Sequence, residues 1–563
     1  MRWGSGSRTG LVVFVLALMG VTAAIAVGAV LAIDSSGDNV VGRVRPDDLT
    51  RVETAENRTP STGSVAVTEG TQEPPVEETA TEDGPDRHII GSNLSLPDPR
   101  GTEIAFRDRF KFSSPWISGS PGVWDDGRPV DTDEHGWVRS LLPDQIARTT
   151  MMQAEAGYYP GDYVVLYEGR GTMSYIGATP VSSSPGRDVI SVSDSLRIDI
   201  TEVDPSDHLR EIRVVPLSEE TLFETDPFNP DFLTSLTEYS ALRFMNWMRT
   251  NGSRQEQWSD RPTPDSARFT EDGGVPVEVM VDLANTLQTD PWFNIPHLAD
   301  DEYVIGFASV VEERLDPSLI PIVELSNEVG NTTFGQHADY RATGTSLGLD
   351  PDPYTAAMKY HSMRSSEVFQ MWEVVFGDKA DFVAAIHPGT RAMETALDHG
   401  DVLEHADMLL VDAYFAFEPN QVDLCEETAA LDLDAFFELM SSKWVPGTLE
   451  ALAQNREVAE QRNLTLGVYE GGHHLRQNTG CGIDKQNAIG ELFDRAVADP
   501  RMNDAYSQLL DGVVEAGVVL FAHYHNVRQH DFDNRFGARR SLLEERAASP
   551  VYDALLTFIE AAG

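Results

Sequence analysis

Residues 321–331 read PIVELSNEVGN. Ile322 to Leu325 make a short run, apolar except for Glu324, and Ser-Asn-Glu and a glycine follow. A run of that length bounded by Pro321 and Gly330 predicts a buried strand ending at Asn327 and Glu328. Whether Glu328 is a solvated loop acid or a working one depends on what that strand belongs to.

The flanking sequence repeats strand then helix on both sides. Upstream, LREIRVVPL (209–217), ALRFMNWM (241–248) and PWFNIPH (291–297) read as strands. PDFLTSLTEY (230–239) and DDEYVIGFASVVEERL (300–315) read as helices. PVEVMVDLANTLQ (276–288) looks extended at first, but Val277, Met280, Val281, Ala284 and Leu287 recur at helical spacing, and Pro276 suits a first helical position. Downstream, DFVAAIH (381–387), ADMLLVDAYF (406–415), LTLGVYE (464–470) and GVVLFAHYH (517–525) read as further strands. Helices are expected at about 352–376, 390–404, 431–457, 485–512 and 541–561. Eight strands alternating with helices imply an α/β fold, the (β/α)8 TIM barrel, over 209–563. An open doubly wound sheet would usually carry a glycine-rich nucleotide loop after its first strand, and none is present.

Three segments precede it. Residues 89–208 hold short alternating runs such as DYVVLYEG and LRIDITEV between Gly, Pro, Asp and Ser clusters, so a small antiparallel β-rich domain is expected. Residues 34–88 are rich in Thr, Glu, Pro and Gly and poor in large apolar side chains, which reads as a disordered acidic linker. Residues 1–33 place Arg2 and Arg8 before an uncharged run from Leu11 to Ile33, long enough to span a bilayer with the bulk of the chain outside. VLA at 30–32 leaves a cleaved signal open as the alternative. Either way the protein is expected outside the cytoplasm.

The 563-residue chain has 42 basic and 91 acidic residues, a formal charge of −49. That field repels nucleic acid and anionic lipid, so contact with membrane is expected through the N-terminal helix only. The basic residues are nearly all arginine, a balance that fits a protein kept soluble in high salt, so a halophilic source is expected.

In a barrel of this kind the chemistry lies where the strands end. The strand ends bring Arg243, Trp247, Trp292, His297, Asn327, Glu328, Tyr414, Glu470, His473 and His523 to one face. Breaking a glycosidic bond needs one carboxylic acid to protonate the leaving oxygen and a second carboxylate to attack or to activate water. Glu328 ends the fourth strand and Glu470 the seventh, across the barrel from each other. Alternation puts Glu324 with Glu328 on one face, and Val468 with Glu470 on another. Glu324 is expected deeper in the barrel, as a structural acid.

SNE at 326–328 followed by YE at 469–470 resembles the clan A glycoside hydrolases, barrels with an Asn-Glu pair ending strand four and a glutamate ending strand seven. The resemblance implies Glu328 as acid/base, Glu470 as nucleophile, and Asn327 as a ligand of the sugar 2-hydroxyl. Arg243 and Tyr414 match the arginine and tyrosine that often flank the nucleophile in that clan, and are expected to lower the pKa of Glu470. The clan often ends strand eight on tryptophan, whereas FAHYHNV offers His523, Tyr524 and His525 here.

Trp292 and Trp247 are candidate sugar platforms, with a core role the alternative for Trp247. His297, His473 and His523 are expected to line the substrate site. His523 and His525 could share a face as metal ligands, but no neatly spaced third ligand accompanies them, so neither metal nor cofactor is expected. Cys425 and Cys481 fall in the loops after strands six and seven, which are neighbours on the catalytic face, and a disulfide between them is expected.

The expected function is retaining hydrolysis of a poly- or oligosaccharide. The alternatives are a non-catalytic carbohydrate-binding surface protein on the same scaffold and a metal-dependent hydrolase using the histidines.

Overall fold

A computed structural model describes residues 89–153, 160–377, 380–415, 425–476, 480–531 and 534–562. The expected membrane segment (1–33) and acidic linker (34–88) lie outside the described residues. No helix among the described residues is long and apolar enough to cross a membrane.

Eight parallel strands close into a barrel. They are Ile90–Asn93, Ala241–Arg243, Asp290–Ile295, Ile322–Leu325, Val383–Ile386, Met408–Phe415, Thr465–His473 and Val518–His523. The first closes on the eighth, with Gly91 opposite Ala522 and Ser92 opposite His523.

The first strand corrects the sequence reading. LREIRVVPL is not in the barrel; Arg210–Pro216 pairs antiparallel with Gly161–Glu168. The barrel instead opens on IGSN at 90–93, ahead of the β-rich segment rather than at about 209. Four residues with glycine and two small polar side chains show no alternation, so nothing marks them as a strand until two neighbours supply the register. Gly91 permits that packing, because a Cβ there would lie 2.9 Å from Ala241 O. The antiparallel sheet is therefore an insertion between the first and second barrel strands. It has its own core around Phe110, Trp137, Tyr163, Ile190 and Ile212.

Alternation along each barrel strand sorts two cores. Leu242, Phe293, Val323, Leu409 and Val468 point outward into the large helix-side core. Ala241, Trp292, Ile322, Leu410 and Tyr469 point inward and fill the barrel. The helices depart from the expected bounds in several places: Gly335–Ser346 was not expected, the region 390–404 holds only the short α-helix Met393–Leu397, and the last helix begins at Pro550. The region expected as one helix at 485–512 is two, Ile483–Val497 and Arg501–Glu515, separated at Asp499 and Pro500. Pro276 caps Val277–Leu287 from outside rather than opening it.

Cys425 and Cys481 are joined, with Cα atoms 5.4 Å apart. The bridge ties the chain beyond the sixth strand to the chain beyond the seventh, as expected. Closing a 56-residue separation is worth about 4 kcal/mol in the chain-entropy account.

Candidate active site

Arg243, the last residue of the second strand, is the centre of the site and is fully buried. Its Nε donates to Glu324 Oε2 at 3.1 Å and its Nη2 to Glu324 Oε1 and Oε2 at 3.2 and 3.0 Å. Nη2 also donates to Asn327 Oδ1 at 2.8 Å, and Nη1 to Asn93 Oδ1 at 3.1 Å and Glu470 Oε1 at 3.0 Å. One guanidinium thus links strands one, two, four and seven. A planar fork of five N–H donors is suited to that; a lysine could not make these contacts.

Glu324 also accepts from Trp292 Nε1 at 3.0 Å and Asn294 Nδ2 at 2.7 Å. Burial raises its pKa, and Arg243 opposes that most strongly. A buried carboxylate held by an arginine, a tryptophan and an asparagine serves the barrel floor as a structural acid.

Beyond Leu325 the chain leaves the strand. Ser326 and Glu328 both adopt left-handed backbone, φ 65° and 41°. Such non-glycine positions cost roughly 1–3 kcal/mol each and persist where the surroundings over-determine them. Here Ser326 N–H donates to Ile295 O at 2.7 Å, and Gln336 Nε2 donates to Asn327 O and Asn251 Oδ1, both at 2.8 Å. Strand alternation therefore does not set the direction of Glu328; the turn does. Glu328 is half-buried and accepts from Tyr469 OH at 2.8 Å and Asn331 Nδ2 at 2.9 Å.

On the seventh strand the register slips. Val411 faces Val468, but Asp412 faces Glu470, so Tyr469 is the extra residue of a bulge. Val468 packs on the helix side, while Tyr469 faces the barrel interior and Glu470 still reaches Arg243. The expected shared face of Val468 and Glu470 is thereby overturned, and two successive residues serve the site. Tyr414 OH donates to Glu470 Oε2 at 2.8 Å.

Burial pushes the Glu470 carboxyl up to about 8. Arg243 and Tyr414 pull it down, as expected of them, and the charge of Glu328 pushes it further up. The expectation of a net lowering is corrected: desolvation outweighs both partners, because Arg243 shares its charge with Glu324. Burial raises the hydroxyls of Tyr414 and Tyr469 well above their usual range, so both remain donors. Asp412 stands opposite Glu470 in the strand register, and desolvation, then the charge of Glu328, holds its carboxyl above the ordinary range.

Several expected substrate contacts are corrected. Trp247 is buried in the helix-side core against Phe106, Phe232 and Phe244. Trp292 is buried inside the barrel, with Arg243 5.3 Å from its ring. Neither offers a face to a sugar. His297 turns its buried ring to Asp339, 2.9 Å from Nε2. His473 spends Nδ1 on Tyr506 OH at 2.7 Å and Nε2 on Arg535 O at 2.7 Å. His523 spends Nε2 on Tyr506 OH at 2.9 Å and Nδ1 on His525 O at 3.1 Å. Both rings knit strands seven and eight to the helix Arg501–Glu515. Gly472 lies at that junction with φ 123°, and a Cβ there would come 2.6 Å from Tyr506 OH. Among the described residues no group of three or more His, Cys, Asp or Glu is placed to hold a metal ion.

The sequence reading passed over Tyr469 and Asn331 as site residues, and placed Asp412 and Tyr524 at strand ends without giving them a role. Tyr469 points inward because Val468 packs on the helix side, the opposite of the expected alternation, and the bulge lets Glu470 follow it. Tyr524 is half-buried at the end of strand eight, T-shaped to Tyr414 with centroids 6.2 Å apart, and both rings neighbour Phe536.

No protein-family model matches the chain, and no curated protein matches it. Among solved structures it is similar to an α-L-arabinofuranosidase from Thermotoga maritima in an arabinose complex, at 14% identity and TM-score 0.36, covering 59% of this chain and 64% of that one. It is also similar to a 4-O-α-L-rhamnosyl-β-D-glucuronidase from Fusarium oxysporum 12S (13%, TM-score 0.36, 61% and 66%). A third is an endo-β-1,4-mannanase from Cellulomonas fimi (13%, TM-score 0.30, 56% and 62%). The chain spans less than two thirds of the length of each. Likeness of this degree carries no functional argument, which rests on the site itself.

Proposed function

We propose that the protein is a retaining glycoside hydrolase of the clan A type, with Glu470 as nucleophile and Glu328 as acid/base. The observation that supports this best is the pairing of two carboxyl groups at one barrel mouth, each held by a tyrosine hydroxyl: Tyr414 on Glu470 and Tyr469 on Glu328. The two are close enough for the charge of Glu328 to raise the Glu470 carboxyl.

In the first step a Glu470 oxygen attacks the anomeric carbon as the glycosidic C–O bond breaks, and Glu328 gives its proton to the leaving oxygen. In the second, Glu328 takes a proton from water, the water oxygen attacks the anomeric carbon, and Glu470 leaves as carboxylate. Arg243 orients Glu470 through Oε1, and Tyr414 through Oε2. Asn327, fixed by Arg243 and by Asn251 at 3.0 Å, would meet the sugar 2-hydroxyl. Tyr414 and Tyr524, rather than tryptophan, would give the sugar ring its aromatic wall.

The substrate is a poly- or oligosaccharide met outside the cytoplasm, with residues 1–33 as anchor or export signal. The Cys425–Cys481 bridge supports an oxidising compartment. The test is reducing-end release from a panel of polysaccharides and aryl glycosides. Wild type should cut at least one, with the released anomer retained when followed by proton NMR. Glu470→Gln should abolish turnover. Glu328→Gln should keep a fast first step only on glycosides with an activated leaving group. Inverted product, or full activity in Glu470→Gln, would sink the assignment.

A further inference from the structure

With Trp247 and Trp292 buried, an indole face for sugar has to be sought elsewhere, and the described residues hold one exposed tryptophan. Trp124 is 47% exposed, in the inserted antiparallel sheet beyond the strand Ile117–Gly119. Its turn is rigidly held. Ser120 and Val123 exchange N–H to carbonyl bonds at 3.1 and 2.9 Å, and Asp126 N–H donates to Ser118 O at 2.9 Å. Arg148 Nη1 donates to the carbonyls of Val123 and Trp124 at 2.6 and 2.7 Å. Gly119 leaves room for that guanidinium, since a Cβ there would lie 2.0 Å from Arg148 Nη1 and 2.6 Å from Trp124 O.

The guanidinium carbons of Arg148 and Arg197 stand 5.6 and 5.2 Å from the indole centroid. Both arginines pair with the buried Asp199, at 3.4 and 2.8 Å. Two cations tied to one carboxylate hold the indole in place, and nearly half of its surface stays open to solvent. Cation–π contact and a pinned backbone mean that the ring loses little freedom when something stacks on it.

The chemistry of the surface selects its ligand. Beside the indole the only exposed large apolar neighbour on the turn is Val123, and Asp125, Asp126 and Arg128 follow it. That apolar area is far below the several hundred Å2 typical of a protein-docking patch. A flat apolar face with hydrogen-bonding groups at its rim matches a pyranose, which has a C–H face and a hydroxyl edge. We propose that Trp124 is the platform of a second carbohydrate-binding site, on the inserted sheet, that holds a pyranose of a polysaccharide chain. The choice of carbohydrate as ligand rests on the hydrolase reading; the site itself is independent of the glutamates.

The experiment is a depletion assay of the Glu470→Gln protein on cellulose, β-mannan, arabinoxylan and arabinan, so that the polymer is not consumed. At least one polymer should retain it, and adding Trp124→Ala should weaken retention at least about tenfold, with partial recovery in Trp124→Tyr. In the wild-type background Trp124→Ala should leave hydrolysis of a soluble aryl glycoside unchanged. Equal retention with and without the indole, or retention on none of the four polymers, would overturn the proposal. Loss of aryl glycoside hydrolysis in Glu470→Gln is read separately and bears only on the hydrolase reading.

Discussion

The Tyr469 hydroxyl donates to Glu328 Oε1 at 2.8 Å, so the residue preceding one of the two proposed catalytic glutamates holds the other. The contact crosses from strand seven to the turn after strand four, and the bulge between Val468 and Glu470 lets the next residue, Glu470, reach Arg243 from the same side. It couples the geometry of the two carboxyl groups through a single peptide unit.

Replacing Tyr469 by phenylalanine removes that hydrogen bond while keeping the ring beside His387, 4.6 Å between centroids. Lost orientation of a general acid should lower kcat by roughly 10–100-fold, within the range of its total contribution. KM should change little. A rise in KM with kcat intact would instead make Tyr469 a substrate contact.

A carboxylate nucleophile must be ionised to attack, and burial pushes the carboxyl of Glu470, the residue proposed for that role, up to about 8. The kcat/KM profile should therefore rise as pH passes through about 8. Tyr414→Phe deletes a partner that pulls this pKa down, so its ascending limb should move to higher pH. A limb that stays in place, or moves lower, would contradict the assignment.

Glu103, far along the chain from either glutamate, is a second buried acid pushed up to about 8, mainly by burial. It accepts from Ser95 N–H and from Asn526 Nδ2. The folded state therefore keeps a proton that the unfolded chain releases near 4.5. Stability from this group is complete below the unfolded value and is lost as pH rises to about 8. Tm should fall across that window, and Glu103→Gln should flatten the fall. An unchanged slope would show that other groups set it.

Removing Arg243 strands two buried carboxylates at once. Arg243→Met should cost about 3–5 kcal/mol in urea unfolding, the usual penalty for an uncompensated buried charge. Adding Glu324→Leu to it should recover part of that loss, because the orphaned charge goes with it. If the double variant is no more stable than the single one, the pair does not balance as described.

Seven of the eight barrel strands were legible from alternation and spacing, and with them Glu328 at the fourth strand end and Glu470 on the seventh. Arg243 and Tyr414 were legible for the same reason: a residue near a strand's C-terminal end is brought to the mouth by the fold itself. The disulfide followed from loop adjacency alone.

The rest needed three dimensions. IGSN becomes a strand only because the second and eighth strands offer it a register. A one-residue bulge leaves no mark on local composition, yet it brings Glu470 inward beside Tyr469. Strand-end histidines and tryptophans look alike in sequence whether they face a cleft or a core. His473 and His523 were claimed by Tyr506, and Trp292 by Glu324, through partners distant along the chain. Local periodicity determines which residues reach the barrel mouth. Long-range packing decides which of them remain free to touch a substrate, because a buried polar atom must be satisfied by whatever the fold brings beside it.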